Sequence, residues 1–275
     1  MSAARPVAPS GDAIVKQGRS STQPRSGRGA AGLAAAIAVS SLIAAPVSTC
    51  QTSVASPSGF YHTNFPLTEN PMREGGVWIE GGTDNLDFSD VSTTPGLAIG
   101  HETIGNGHDA IAILDPAKVG SFPADQYAEG VVYWSKPLVA YSPEIELFVR
   151  TTFSAHWFRG YSCSFGVNAS NQPYLLIGGA YGSFGDWQSV MDDTNAKYAV
   201  VTGDVIRLQI VGTRISVYKN AALMNTADVA TAGRTTDILT GGSAGLGFNS
   251  EEAGGTHNNL YGLSAFTAGG MGSTN

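Results

Sequence analysis

The chain has 275 residues, room for one large β domain or two ordinary ones, with 13% charged residues, 35 glycines and a formal net charge of −7. Low charge with abundant glycine fits an extracellular or assembly-bound β protein rather than a cytosolic helical enzyme. Residues 1–49 hold Arg5, Lys16, Arg19, Arg25 and Arg28 against Asp12, so they carry +4 and leave −11 on the rest. A domain that acidic excludes nucleic acid as its partner, because phosphates need a positive surface.

In chain order, the first segment is Ser-, Gly-, Pro- and Arg-rich. It is followed by "AAGLAAAIAVSSLIAAPV" (Ala30 to Val47), within an uncharged run from Gly29 to Thr68. A basic stretch, an apolar stretch and then small residues is the order of a secretory signal. "VSTC" ends at Cys50 like a lipoprotein box, with Thr49 where such boxes carry Gly or Ala. Three readings follow. A cleaved signal places the protein outside the cell or on its surface. A retained membrane or lipid anchor makes this segment its only membrane contact. An uncleaved arm becomes ordered inside a larger assembly, such as a virion. Residues 50–59 have linker composition, so residues 1–59 form a non-globular N-terminal extension and the folded domain spans 60–275. Cys50 and Cys163 are too few for a disulfide scaffold or a thiolate metal site. Exported, they could pair; otherwise Cys163 is a small buried strand residue.

From Phe60 on, short β-rich runs separated by Gly, Pro, Asn and Asp recur every dozen or so residues: "GVWIE", "GLAIGHE", "DAIAILD", "EIELFVR", "GYSCSFGV", "PYLLIGG" and others. The clearest alternation is in Asp204–Val211, with Ile206, Leu208 and Ile210 on one face and Arg207 and Gln209 on the other. A partner strand follows with Ile215 and Val217 inward, and Asn220 sits at a tight-turn position. No apolar run holds helical spacing. About twelve short strands predict an all-β antiparallel two-sheet sandwich. In "EGGVWIEGG", Trp78 shares a strand face with Glu80, and the glycine pairs on either side predict tight turns.

That stretch, with "TTPGLAIG", "EIELFVRTT", "GYSCSFGV", "TGDVIRLQIVGTRISVYKN" and "AGLGF", resembles the concanavalin A-like (laminin G-like) jelly-roll superfamily, in an uncharacterised bacterial and viral branch. The resemblance runs from Phe60 to about Gly269. It implies a jelly-roll sandwich and leaves activity open, since the superfamily holds lectins, carbohydrate-binding modules, laminarinase-type glycoside hydrolases and adhesin or virion domains.

Laminarinase-type hydrolases carry Glu-Ile-Asp-Ile-x-Glu on one strand. Matched to "EIELFVR", Glu144 takes the nucleophile's place and Glu146 replaces the Asp, but the acid/base falls on Val149 or Phe148, neither of which donates a proton. The simpler reading puts Ile145, Leu147 and Val149 in the core and Glu144, Glu146, Phe148 and Arg150 on the other face. No catalytic residue is assigned. Many jelly rolls hold a Ca²⁺ with carboxylates and backbone oxygens. Asp84, Asp87 and Asp90 lack the glycine and final Glu of a calcium loop, so no metal ligand and no cofactor are assigned, with Ca²⁺ kept as the minor alternative. The histidines at 62, 101, 108, 156 and 257 form no HxH or HExxH pair.

Aromatic residues carry the binding expectation. "SAHWFRGY" and "GAYGSFGDW" set rings in or beside Gly-rich loops among Asp and Arg, a composition that suits stacking on a sugar face. Tyr181 and Trp187 are the first candidates, with Asp186, Trp157 and Arg159 beside them. The expected function is non-enzymatic carbohydrate binding or adhesion, with a glycan or polysaccharide as partner. The alternative is a structural brick that assembles with itself or other subunits, using residues 1–59 as a docking arm; a glycoside hydrolase is the weakest reading.

Overall fold

The computed structural model describes residues 59–101, 109–135, 142–249 and 258–272. The readings of residues 1–58, including the export signal and Cys50, and of His108 and His257 lie outside the described residues. Fifteen strands occur among those described: β1 (Phe60–Thr63), β2 (Trp78–Glu80), β3 (Asp90–Thr94), β4 (Leu97–His101), β5 (Asp109–Leu114), β6 (Gln126–Trp134), β7 (Glu144–Ser154), β8 (Trp157–Val167), β9 (Pro173–Gly182), β10 (Trp187–Thr194), β11 (Val205–Val211), β12 (Arg214–Lys219), β13 (Ala222–Asp228), β14 (Ser243–Asn249) and β15 (Tyr261–Gly270). The single α-turn described, α1 (Pro116–Val119), starts on an Asp115 side chain that accepts from the Ala117 amide. No described helix is long and apolar enough to cross a membrane.

The strands form two sheets. One orders β13-β12-β11-β6-β15-β4-β3, with β1 also on β15, and the other orders β10-β9-β8-β7-β14-β5-β2. Paired strands run antiparallel throughout. This is the two-sheet jelly-roll sandwich expected from the strand pattern. Ile206, Leu208, Ile210, Ile215 and Val217 are fully buried between the sheets, facing Ile145, Leu147, Val149, Cys163, Phe165 and Phe248 from the other layer. Each such side chain contributes about 1.5–3 kcal/mol by leaving water. Burial pushes the Cys163 thiol well above its ordinary range, so it behaves as a packing residue. The β12–β13 turn is formed by Asn220 and Ala221, both at positive φ, as a two-residue hairpin of this hand requires.

Arg150 departs from the simple alternation. In β7, Val149 pairs with Tyr161 and Thr152 with Arg159, so Arg150 and Thr151 together oppose one residue of β8. That bulge sets Arg150 at φ 53° and turns its side chain away from the outer face, leaving it 2% exposed. Gly160 accommodates the bulge: a Cβ there would lie 2.6 Å from the Thr151 methyl.

Trp78 is a core residue, 1% exposed, and Glu80 on the same strand face is fully buried. The Glu80 carboxylate accepts from the Val91 amide at 2.7 Å through one oxygen, while its other oxygen has no partner among the described residues. Burial holds its pKa well above the usual carboxylate range, and the neighbouring Asp90 adds to the rise. Native Glu80 therefore keeps its proton where the unfolded chain has lost it. Its contribution is fully present below the unfolded value of about 4.3 and is lost as pH rises toward and through the folded value. Glu80→Gln removes the ionisation. In urea titrations at a series of pH values, the variant's advantage over wild type should grow with pH above about 4.5, by at most about 1.4 kcal/mol per pH unit. Parallel curves would show that Glu80 does not titrate differently in the two states.

Candidate functional site

The outer face of the seven-stranded sheet, opposite the core, is built in register. Along β7 it presents Glu144, Glu146 and Phe148. Their neighbours on β8 are Gly166, Ser164 and Ser162, and those on β14 are Asn249, Gly247 and Gly245. Beyond β8, strand β9 contributes Tyr174, Leu176 and Gly178 to the same rows. The small residues make the floor, and the larger side chains lean over them. A Cβ on Gly247 would lie 2.8 Å from the Phe148 ring and 2.9 Å from a Glu146 oxygen. Across Gly166, the Tyr174 hydroxyl donates to Glu144.

The β2–β3 loop folds over one end of this face. Leu86 and Phe88 pack there with Ile111, Ile113, Phe148 and Phe158, a second apolar cluster separate from the core. The loop is tied down by the His156 amide donating to the Asn85 carbonyl and by a 2.7 Å contact between the His156 imidazole and Asp87. A chain of edge-to-face rings runs Phe148–Phe158–Phe88–Phe184, with centroids 5.4–5.8 Å apart. Between these rings and Trp187 lies a cavity of about 160 Å³, floored by Gly160, Ser162, Ala180 and Gly182 and reached by Glu146 and Asp109. Glu146 is 7% exposed and accepts from the Ser164 hydroxyl at 2.8 Å.

Trp187 pairs with Ala180 across β9, and its indole lies diagonally over Gly178, where a Cβ would come within 2.2 Å of the ring. The ring is thus laid against bare backbone while the residue stays 45% exposed, with Phe184 at 48% beside it. Only glycine at 178 permits that placement.

The other aromatic expectation is corrected. Tyr181 points inward, 5% exposed, as part of the main core, and its hydroxyl has no partner among the described residues. Alternation along β9 puts it on the face of Leu175 and Ile177, and Arg234 lies over its ring at 4.4 Å. It offers no open face to a sugar. Asp186 is held by Arg234, whose hydrogen bond lowers the carboxyl's pKa. Arg159 pairs with Asp237 and sits 5.7 Å from the centroid of Trp157. Asp186, Trp157 and Arg159 are therefore brought together at one end of β8 and β9, braced by residues of the loop after β13. Of the five candidates, Trp187 and Asp186 line the cavity. Sequence reasoning missed Phe88, Ser162 and Arg234, which register and loop closure bring in from distant segments.

For catalysis the strand holds Glu144 and Glu146, while Val149 is buried in the core and Phe148 is a cavity wall. Neither place expected of an acid/base carries a proton donor. The three loop aspartates each have separate work: Asp84 binds Arg73, Asp87 meets His156, and Asp90 accepts from the Gly82 and Thr83 amides. No group of three potential ligands is placed to hold a metal among the described residues.

No protein-family model matches the chain, and no curated protein matches it in sequence. Solved structures do resemble it. A carbohydrate-binding module, CBM66, from Bacillus subtilis is 14% identical, with a TM-score of 0.45 over 72% of this chain and 94% of its own. A legume lectin-like domain from Entamoeba histolytica is 9% identical, with a TM-score of 0.45 over 75% and 97%. A Bacillus licheniformis β-glucanase is 13% identical, with a TM-score of 0.42 over 77% and 95%. The jelly-roll sandwich rests on the chain's own two antiparallel sheets. At such identities and scores, no site or activity transfers from those proteins to this one.

Proposed function

We propose that the chain is a non-enzymatic carbohydrate-binding module that takes a glycan on the outer face of its seven-stranded sheet. One observation carries the reading: Trp187, half exposed, lies against Gly178 beside a cavity that also holds carboxylate and hydroxyl groups. A fixed ring beside polar groups is what stacking on a pyranose and fixing its hydroxyls needs. Binding without catalysis is supported by the side chains at 148 and 149, which leave Glu144 and Glu146 without the acid/base of a retaining pair. Export to the cell surface or beyond is proposed on the basic-then-apolar order of residues 1–47, and the N-terminus of the native protein, read by mass spectrometry, tests it.

Trp187→Ala should weaken glycan binding at least tenfold, read by titration calorimetry, while the melting temperature changes little. Unchanged affinity, or loss of the fold itself, would remove Trp187 from the binding site.

A further inference from the structure

The cavity beside Trp187 is smaller and more apolar than a whole sugar requires, and it sits next to a platform that suits one. We propose that the ligand is a glycan bearing a ring acetamido group, whose acetyl methyl enters the cavity while the pyranose lies on Trp187. This rests on the glycan reading above and adds the chemistry of its specificity.

Size comes first. The cavity measures about 160 Å³. An apolar cavity of about 150 Å³ takes benzene, whereas a hexose has about twice benzene's heavy atoms. By that measure a whole hexose is too large to enter, while an acetamido group fits. The lining comes next. Phe88, Ile111, Phe148 and Phe158 wall the cavity, so a methyl gains contact there and a bare hydroxyl loses water without replacement. Polarity decides between acyl groups. Glu146, an acceptor held by Ser164, and Ser162, a hydroxyl, lie on the same lining. An amide N–H can donate to the first, and its carbonyl can accept from the second. An acetate ester carries no N–H for Glu146, and an unsubstituted hydroxyl carries no methyl for the rings.

The test uses the full chain on a glycan array of matched pairs: GlcNAc against Glc and GalNAc against Gal, in both anomers. Selected pairs are then measured by calorimetry. The acetamido member of a pair should bind tenfold or more tighter, the size of effect one apolar group has in a fitted pocket. Ala180→Leu fills the cavity and should erase that preference, read as the ratio of the two affinities within each pair. Ser162→Ala, which adds no bulk, should narrow the preference for the acetamido member by several-fold. Equal or tighter binding of the plain sugars, or a preference that survives both variants, would overturn the acetamido assignment and leave the glycan reading standing. Binding to no glycan on the array would overturn both.

Discussion

Arg150→Ala should lower the unfolding free energy by roughly 3–5 kcal/mol, measured by urea denaturation, although Arg150 touches no part of the binding face. The guanidinium is 2% exposed and donates to three backbone carbonyls from separate segments: Ala124 at 2.7 Å, Leu239 at 2.8 Å and Gly212 at 2.8 Å. Its main-chain amide donates to the Gln126 side chain at 2.9 Å. The bulge in β7 thus drives one cation across the sandwich to tie the seven-stranded sheet to the start of β6, the β11–β12 turn and the loop before β14. Truncation leaves the buried Leu239 carbonyl without its donor, at about 1–3 kcal/mol, and removes two charged hydrogen bonds to the more exposed Ala124 and Gly212 carbonyls, each worth about 1.5 kcal/mol or more. Asp125 lies 3.6 Å away and 44% exposed, so the effect belongs to the carbonyls rather than to an ion pair. Arg150→Lys should recover little, because one ammonium on a flexible stem cannot reach three carbonyls fixed in different directions. Burial lowers the Arg150 pKa, but a guanidinium stays charged across the accessible range, so the loss should not vary with pH. A cost below about 1 kcal/mol would mean that the carbonyls find other donors.

The contrast between Arg150 and its strand neighbours shows what a sequence discloses of this fold. Strands β11 and β12 were legible because Ile206, Leu208, Ile210, Ile215 and Val217 alternate with Arg207, Gln209, Arg214 and Ser216, and the two strands pair without a register shift. Arg150 was not, since a bulge changes the parity of everything after it and is specified by Gly160 on another strand. Tyr181 was misread for a related reason. The glycines of "LLIGGAYG" hide the alternation that carries Leu175 and Ile177 inward to Tyr181, so a core ring looked like a loop ring. Trp187 was legible as an aromatic at the end of a glycine-rich turn, but the glycine beneath it sits nine residues earlier, on the paired strand. The cavity was not legible at all. Its lining comes from β5, β7, β8, β9, the β9–β10 turn, Trp187 and the β2–β3 loop, with β5 brought alongside β7 through pairing with β14.

Glu74→Ala should cost about 3–5 kcal/mol and should do so largely through Trp78. The Glu74 side chain receives three donors: the Trp78 indole N–H at 2.8 Å, the Tyr61 hydroxyl at 2.6 Å and the Thr63 hydroxyl at 2.5 Å. Two of these come from β1 and one from β2, which belong to different sheets, so the carboxylate joins the layers at one end of the sandwich. Burial and the Glu74 charge both push the Tyr61 phenol above its ordinary range, consistent with a proton held toward the carboxylate. Glu69 fixes the segment by accepting from the Arg73 amide at 3.0 Å and the Glu74 amide at 2.8 Å. The following Gly75 and Gly76, at φ 77° and 87°, then turn the chain into β2. Trp78 arrives with its ring edge-to-face against Tyr61 and Phe266, each centroid 5.5 Å away. Trp78→Phe keeps a ring in the core and loses the N–H, so alone it should cost less than Glu74→Ala. In the double variant, the indole bond is missing from both sides of the comparison. A double-mutant cycle should therefore return a coupling of about 1–3 kcal/mol. Additive losses would mean that indole and carboxylate stabilise the fold separately, and the Glu-Gly-Gly-x-Trp signature would then be a packing motif rather than one hydrogen-bonded unit.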